Sequence, residues 1–207
     1  VTRFGDIGLL VGVVILWSVM KDLGAEDPFS IKATIEAAVS GQIPMHLLAI
    51  AGGGFIAGAV GKSAQFPLHV WLPDAMEAPT TISALIHAAT LVNAGIYLTA
   101  RTIPLFEQIA WWLPMLAWIG AISALITALL ALVEKDLKRV LAFSTISQLG
   151  YMMAGVGAAS VVASQFHLLN HAMFKALLFL CAGSVIHAAH TRSMYEMGGL
   201  KRSMPIT

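Results

Sequence analysis

Three titratable side chains, His167, His171 and Lys175, recur at i, i+4 and i+8 within Phe166-His167-Leu168-Leu169-Asn170-His171-Ala172-Met173-Phe174-Lys175. Helical geometry stacks them on one face over about 12 Å, at 1.5 Å per residue. The flanking sequence is apolar enough to cross a bilayer, and such a face cannot be turned to lipid. A neutral imidazole both donates and accepts a hydrogen bond and titrates near a pH of about 6.5, which suits proton transfer. A proton relay is the favoured reading, with a hydrogen-bonded core cluster as the alternative. Zinc ligation by the His-x-x-x-His pair is disfavoured, because no glutamate follows His167 and no carboxylate or thiol accompanies it.

A second feature is Gly61-Lys62-Ser63-Ala64-Gln65-Phe66-Pro67-Leu68-His69-Val70-Trp71-Leu72-Pro73-Asp74. It places a lysine at the end of a long apolar run and then two prolines. Pro67 lacks an amide hydrogen and its ring clashes with the preceding turn, so the helix is expected to break after Lys62. Broken backbone at membrane depth survives only where protein or water satisfies it. Lys62 is therefore expected at a partly hydrated break inside the protein, at an insertion cost of roughly 2.5 to 3.5 kcal/mol if it stays charged at mid-membrane. The alternative is a lysine that snorkels to an interface while Pro67 opens a loop. Gly61-Lys62-Ser63 has the end of a phosphate-binding loop, but Ile56 stands where its first glycine is required and no strand precedes it, so nucleotide binding is excluded. A lone histidine, His87, lies in the next apolar run. It is either a satisfied core residue or part of a relay.

The elements that must position these groups follow from composition. Of 207 residues 58% are hydrophobic and 11% charged, where a soluble domain has about 25% charged residues. The class is an all-α, polytopic transmembrane bundle. With about 20 residues per crossing, six crossings are predicted near 5–20, 45–63 with a continuation to about 76, 80–100, 110–133, 139–158 and 162–189. The glycines at 52, 53, 54, 58 and 61 are expected to allow close helix packing. The substantial polar loop is 21–44, and Glu134, Lys135, Asp136, Lys138 and Arg139 read as ordinary solvated loop charges. Asp6 reads as half of a local surface pair with Arg3. Cys181 is a core thiol, and a net charge of +1 implies no nucleic-acid partner. The chain begins on Val1 and stops at Met204-Pro205-Ile206-Thr207, as expected of an internal fragment forming one transmembrane domain over 1–207.

Six crossings leave both termini on one side. That side collects Arg3, Lys135, Lys138, Arg139, Arg192, Lys201 and Arg202, against Lys21, Lys32 and Arg101 opposite. The basic excess makes the first side cytoplasmic or its topological equivalent.

The run from Lys62 through Asp74-Ala75-Met76-Glu77-Ala78-Pro79-Thr80, the stretch Ser83-Ala84-Leu85-Ile86-His87-Ala88-Ala89-Thr90, the run Asp136-Leu137-Lys138-Arg139-Val140-Leu141-Ala142-Phe143-Ser144-Thr145-Ile146-Ser147-Gln148-Leu149-Gly150, and His167 through Gly183 together resemble the antiporter-like, proton-translocating subunit family. These long, ordered motifs cover nearly all of the chain. Within the family the chain looks most like the L-type, mitochondrial subunit-5-like member of respiratory complex I. Phe174-Lys175-Ala176-Leu177-Leu178-Phe179-Leu180 favours that member over the large subunit of multisubunit Na+/H+ antiporters, which usually shows Phe-Lys-Gly there.

The resemblance implies that 1–207 corresponds to the family's sixth through eleventh transmembrane helices. Lys62 would be the central lysine of a discontinuous seventh helix and His87 would sit on the eighth. His167, His171 and Lys175 would continue a hydrophilic axis toward a second half-channel. Asp6 would face the neighbouring subunit and serve coupling between subunits. The family's fifth-helix glutamate and twelfth-helix lysine would lie outside this sequence, and Asn93 stands where some sister subunits have a lysine.

The function so implied is redox-driven proton translocation in a complex I-like NADH:quinone oxidoreductase. No redox chemistry, cofactor or metal is expected in this chain. NADH, FMN, Fe-S clusters and quinone would belong to partner subunits in a prokaryotic cell membrane or the equivalent mitochondrial inner membrane. A cation/proton antiporter without redox partners, a related hydrogenase or deazaflavin-dependent dehydrogenase, and a structural membrane subunit with a vestigial polar axis are the competing readings.

Overall fold

The computed structural model describes residues 1–88, 90–202, 204, 205 and 207. Nine helices carry the chain among these residues: α1 (Thr2–Asp22), α2 (Ile31–Val39), α3 (Met45–Lys62), α4 (Trp71–Asp74), α5 (Thr80–Ala88), α6 (Asn93–Phe106), α7 (Trp112–Val133), α8 (Leu137–Gly157) and α9 (Val161–Ala189). Six segments are long and apolar enough to cross a membrane: α1, α3, the stretch Thr80–Phe106, α7, α8 and α9. Their bounds lie within a few residues of those expected.

Two local differences have physical causes. Within 21–44, expected as a polar loop, α2 forms because the Ser30 side chain accepts a hydrogen bond from the Ala33 amide at 3.3 Å and so caps its start. The third crossing, expected as one helix, is two. Its interruption after Ala88 is held by side chains: Thr90 Oγ1 donates to Leu85 O at 3.0 Å, and Asn93 Nδ2 donates to Ala88 O at 2.6 Å.

α1 packs on α3, α7 on α8, and α5 and α8 on α9. Glycine sets the first two distances. A Cβ on Gly5 would stand 2.7 Å from Ala57 O and 3.0 Å from Gly61 Cα, and one on Gly150 would stand 2.6 Å from Gly120 O. Small residues at these crossings let backbone meet backbone, the usual currency of helix association in lipid. The cores of the crossings meet around Leu48, Ile96, Phe106, Trp112, Ile146 and Leu149, all at most 1% exposed.

The connections 74–79, 134–139 and 190–196 converge on one end of the bundle. Leu137 N donates to Arg192 O and Met194 N to Lys135 O, both at 3.0 Å. Arg139 lies 3.6 Å from Asp74 and Arg192 3.4 Å from Glu77. This convergence is what six antiparallel crossings require.

Candidate functional site

α3 ends at Lys62, and the freed backbone of the break is taken up by protein groups. Ser63 Oγ donates to Val92 O at 2.7 Å, Gln65 Nε2 donates to Ser63 O at 2.9 Å, and Phe66 N donates to Ser123 Oγ at 2.9 Å. Trp71 Nε1, on the short helix beyond the break, reaches back to Gly61 O at 3.1 Å. Ala64 absorbs the change of direction in the left-handed region, at φ 49°. The helix ends at Lys62, ahead of Pro67 as predicted, and 63–70 runs as turns before the short helix Trp71–Asp74.

Asp6 corrects the sequence reading. Its carboxylate lies 3.1 Å from Lys62 Nζ and does not pair with Arg3. The cause is the glycine contact one residue earlier on each helix: because Gly5 and Gly61 touch, Asp6 and Lys62 are brought side by side. The pair is half-buried, with the lysine side chain 36% and the aspartate 45% exposed. Composition and spacing could not have paired them, since 56 residues separate them in the chain.

The other titratable residues gather between α5, α8 and α9. His87 is fully buried, with its ring tilted against that of Phe179 at 4.8 Å between centroids. Lys175, 2% exposed, donates to Ser144 Oγ at 2.8 Å and to Leu141 O at 3.4 Å. His171 is fully buried, with its ring 6.5 Å from that of His167. Among the described residues, both ring nitrogens of His87 and of His171, and Nε2 of His167, are buried without a protein partner. Buried polar atoms demand hydrogen bonds, and ordered water is the group that supplies them in polar interiors.

No direct hydrogen bond joins Lys62 to His87 among the described residues. The two breaks meet instead: Ser63, next to Lys62, bonds Val92, and Asn93 bonds Ala88, next to His87. Gln65, fully buried, adds a contact to Ile146 O on α8 at 3.5 Å and leaves its Oε1 unpartnered, as Asn93 leaves its Oδ1. Polar side chains of Ser63 and Gln65 at one break and Asn93 at the other thus stand between the two, and of these the sequence reading singled out only Asn93. Their signal was present as three hydrogen-bonding side chains inside otherwise apolar windows.

Lys138 is a second correction. Expected as a solvated loop charge, it is 2% exposed, and its Nζ donates to Met76 O at 2.8 Å and Ala78 O at 2.6 Å. Asp136 caps α8 through the amides of Lys138 and Arg139, which starts the helix early enough to turn Lys138 inward. No group of three or more His, Cys, Asp or Glu side chains converges among the described residues.

A bundle of six crossings with two interrupted helices, a half-buried ion pair at one break and a row of buried titratable groups beyond the other defines an integral multi-pass membrane protein. The chain belongs to the NADH:quinone oxidoreductase/Mrp antiporter transmembrane family, whose model matches residues 1–207. It is 51% identical to the F(420)H(2) dehydrogenase subunit L of Methanosarcina mazei, covering 100% of this chain and 34% of that protein. It is 48% identical to the chloroplastic NAD(P)H-quinone oxidoreductase subunit 5 of Anthoceros angustus, covering 99% of this chain and 29% of that protein. Among solved structures, a chain of the Mrp complex from Dietzia sp. DQ12-45-1b superposes with a TM-score of 0.84 at 35% identity, over 99% of this chain and 22% of that one. The chain therefore spans about a third of the length of the curated relatives it matches.

Proposed function

We propose that this chain is the proton-translocating part of a membrane subunit in a complex I-like oxidoreductase, and that protons move through Lys62, His87, His171, His167 and Lys175. The observation that carries the reading is the Asp6–Lys62 pair at the broken helix, with the polar side chains of Ser63, Gln65 and Asn93 between the two breaks and a row of buried, unpartnered imidazoles beyond them. An ammonium that loses its carboxylate in a low-dielectric site favours the neutral amine, and one that regains it favours the charge. A change of about 1.4 kcal/mol in pairing moves the protonation ratio tenfold. On this reading the Asp6–Lys62 contact is the switch, made in one half of the cycle and broken in the other. Asp6 is the group through which a neighbouring subunit would reach that switch.

Electron transfer lies in partner subunits on this reading, with the nicotinamide, flavin, iron–sulfur and quinone chemistry held there and none in this chain. Multisubunit assembly follows from the same reading, supported by relatives named as subunits of an F(420)H(2) dehydrogenase and of a chloroplastic NAD(P)H-quinone oxidoreductase; a cell-membrane location belongs to the reading as well. The second reading, cation/proton antiport without electron transfer, is favoured by the likeness to a chain of an Mrp complex. The identity of about half to the oxidoreductase subunits, against 35% to the Mrp chain, puts the redox-driven reading first. Lys62→Met keeps the side-chain volume and removes the titrating group. In the assembled complex it is expected to leave electron transfer measurable while abolishing proton translocation; a normal proton-to-electron ratio would refute the relay.

A further inference from the structure

At the end of the bundle opposite the 74–79, 134–139 and 190–196 connections, a cavity of about 260 Å³ opens between α1, α2, α3 and α6. Its inner wall includes Leu16, Phe55 and Leu105, each at most 8% exposed. Trp17 and Phe29, stacked at 6.3 Å between ring centroids, stand at its outer side, where Phe29 is 69% exposed. Two hydroxyls in the wall donate to backbone one turn earlier, Thr34 Oγ1 to Ser30 O at 2.8 Å and Thr102 Oγ1 to Leu98 O at 2.9 Å. The interior therefore asks for no polar group. Its volume falls short of the about 300–1,000 Å³ of sites for drug-sized molecules and cofactors, and a single hydrocarbon chain suits it.

The mouth of this cavity is basic. Arg101 lines it and is exposed, and Lys21 Nζ stands 5.2 Å over the Trp17 ring. These two and Lys32 are the lysine and arginine residues on this side of the bundle. Lys32 lies 3.9 Å from Glu36 one turn on, whereas no carboxylate pairs with Lys21 or Arg101 among the described residues. Two cations without counter-ions beside a dry cavity, with aromatic rings of the kind that settle at the head-group level, complement an amphiphile with an anionic head. We propose that the cavity holds one acyl chain of an anionic phospholipid from the leaflet on that side, with its phosphate on Arg101 and Lys21. The chain fills the seam between α1, α3 and α6, and the phosphate supplies the counter-charge that the protein does not. Neither cation belongs to the row from Lys62 to Lys175, so this lipid site stands or falls apart from the relay.

The test reconstitutes the assembled complex in phosphatidylcholine vesicles containing a trace of phosphatidylglycerol that carries a diazirine near the end of one acyl chain. After irradiation, label is expected on the α3 and α6 peptides that contain Phe55, Leu98 and Leu105, displaced by unlabelled phosphatidylglycerol but not by phosphatidylcholine or inorganic phosphate. Arg101→Gln is expected to lower the labelling about fivefold, the weight of one basic side chain at an anionic head group, and Arg101→Lys to restore most of it. Lys21→Gln, at an exposed position, serves the same purpose should the Arg101 variant not assemble. Equal labelling by a phosphatidylcholine probe would overturn the proposal, since the cavity would then take any lipid tail. Labelling indifferent to both cations, displacement by a quinone, or no label on these peptides would overturn it as well.

Discussion

At the scale of single residues, burial separates the groups proposed to relay protons from those that merely share their helix. His171 and Lys175 are 0% and 2% exposed on α9, while Leu169, two residues before His171, is 60% exposed. Replacing His171 with phenylalanine or Lys175 with methionine is expected to stop proton translocation, whereas Leu169→Ala should change it little. The measurement is acidification driven by electron transfer in proteoliposomes; equal losses in all three would assign the stripe a structural role. The types and spacing of His167, His171 and Lys175 made this face legible from sequence, because helical periodicity alone places them together. The partner of Lys62 was not legible, since it depends on a glycine contact between two helices, and Asp6 beside Arg3 satisfies every local rule for a surface pair.

At the scale of elements, the two interruptions do the positioning. The break after Lys62 was predictable because proline states its own effect on a helix. The break after Ala88 was not read, because it is held by side-chain bonds from Thr90, Asn93 and Ser63, and polar residues in an apolar window mark a site without stating that the helix breaks there. Lys138 fastens the segment between these breaks to α8 through two carbonyls. Lys138→Met strands the buried Met76 carbonyl, at about 1–3 kcal/mol for a buried unsatisfied acceptor, and frees the part-buried Ala78 carbonyl. The expected outcome is a lower thermal midpoint of the complex and faster hydrogen exchange over 76–82. Unchanged exchange there would show that Lys138 does not hold the segment.

At the scale of the whole molecule, the six crossings and the shared end of the 74–79, 134–139 and 190–196 connections were legible from hydropathy and loop charge. Close packing within the bundle was legible only as a count of glycines. A cysteine in place of Lys135 is expected to react with an impermeant thiol reagent from the cytoplasmic side only, and one in place of Lys32, whose side chain is 88% exposed, from the other side only. Labelling of both from one side would mean that a crossing between them re-enters, and the row from Lys62 to Lys175 would lose its geometry. The central claim, that Asp6 and Lys62 act as one switch, is tested most directly by the proton-to-electron ratio in a double-mutant cycle. Residues that work as a unit give non-additive losses. Asp6→Asn, Lys62→Met and the double variant are predicted to lose coupling to the same extent; a full ratio in Asp6→Asn, or losses that add, would contradict the account.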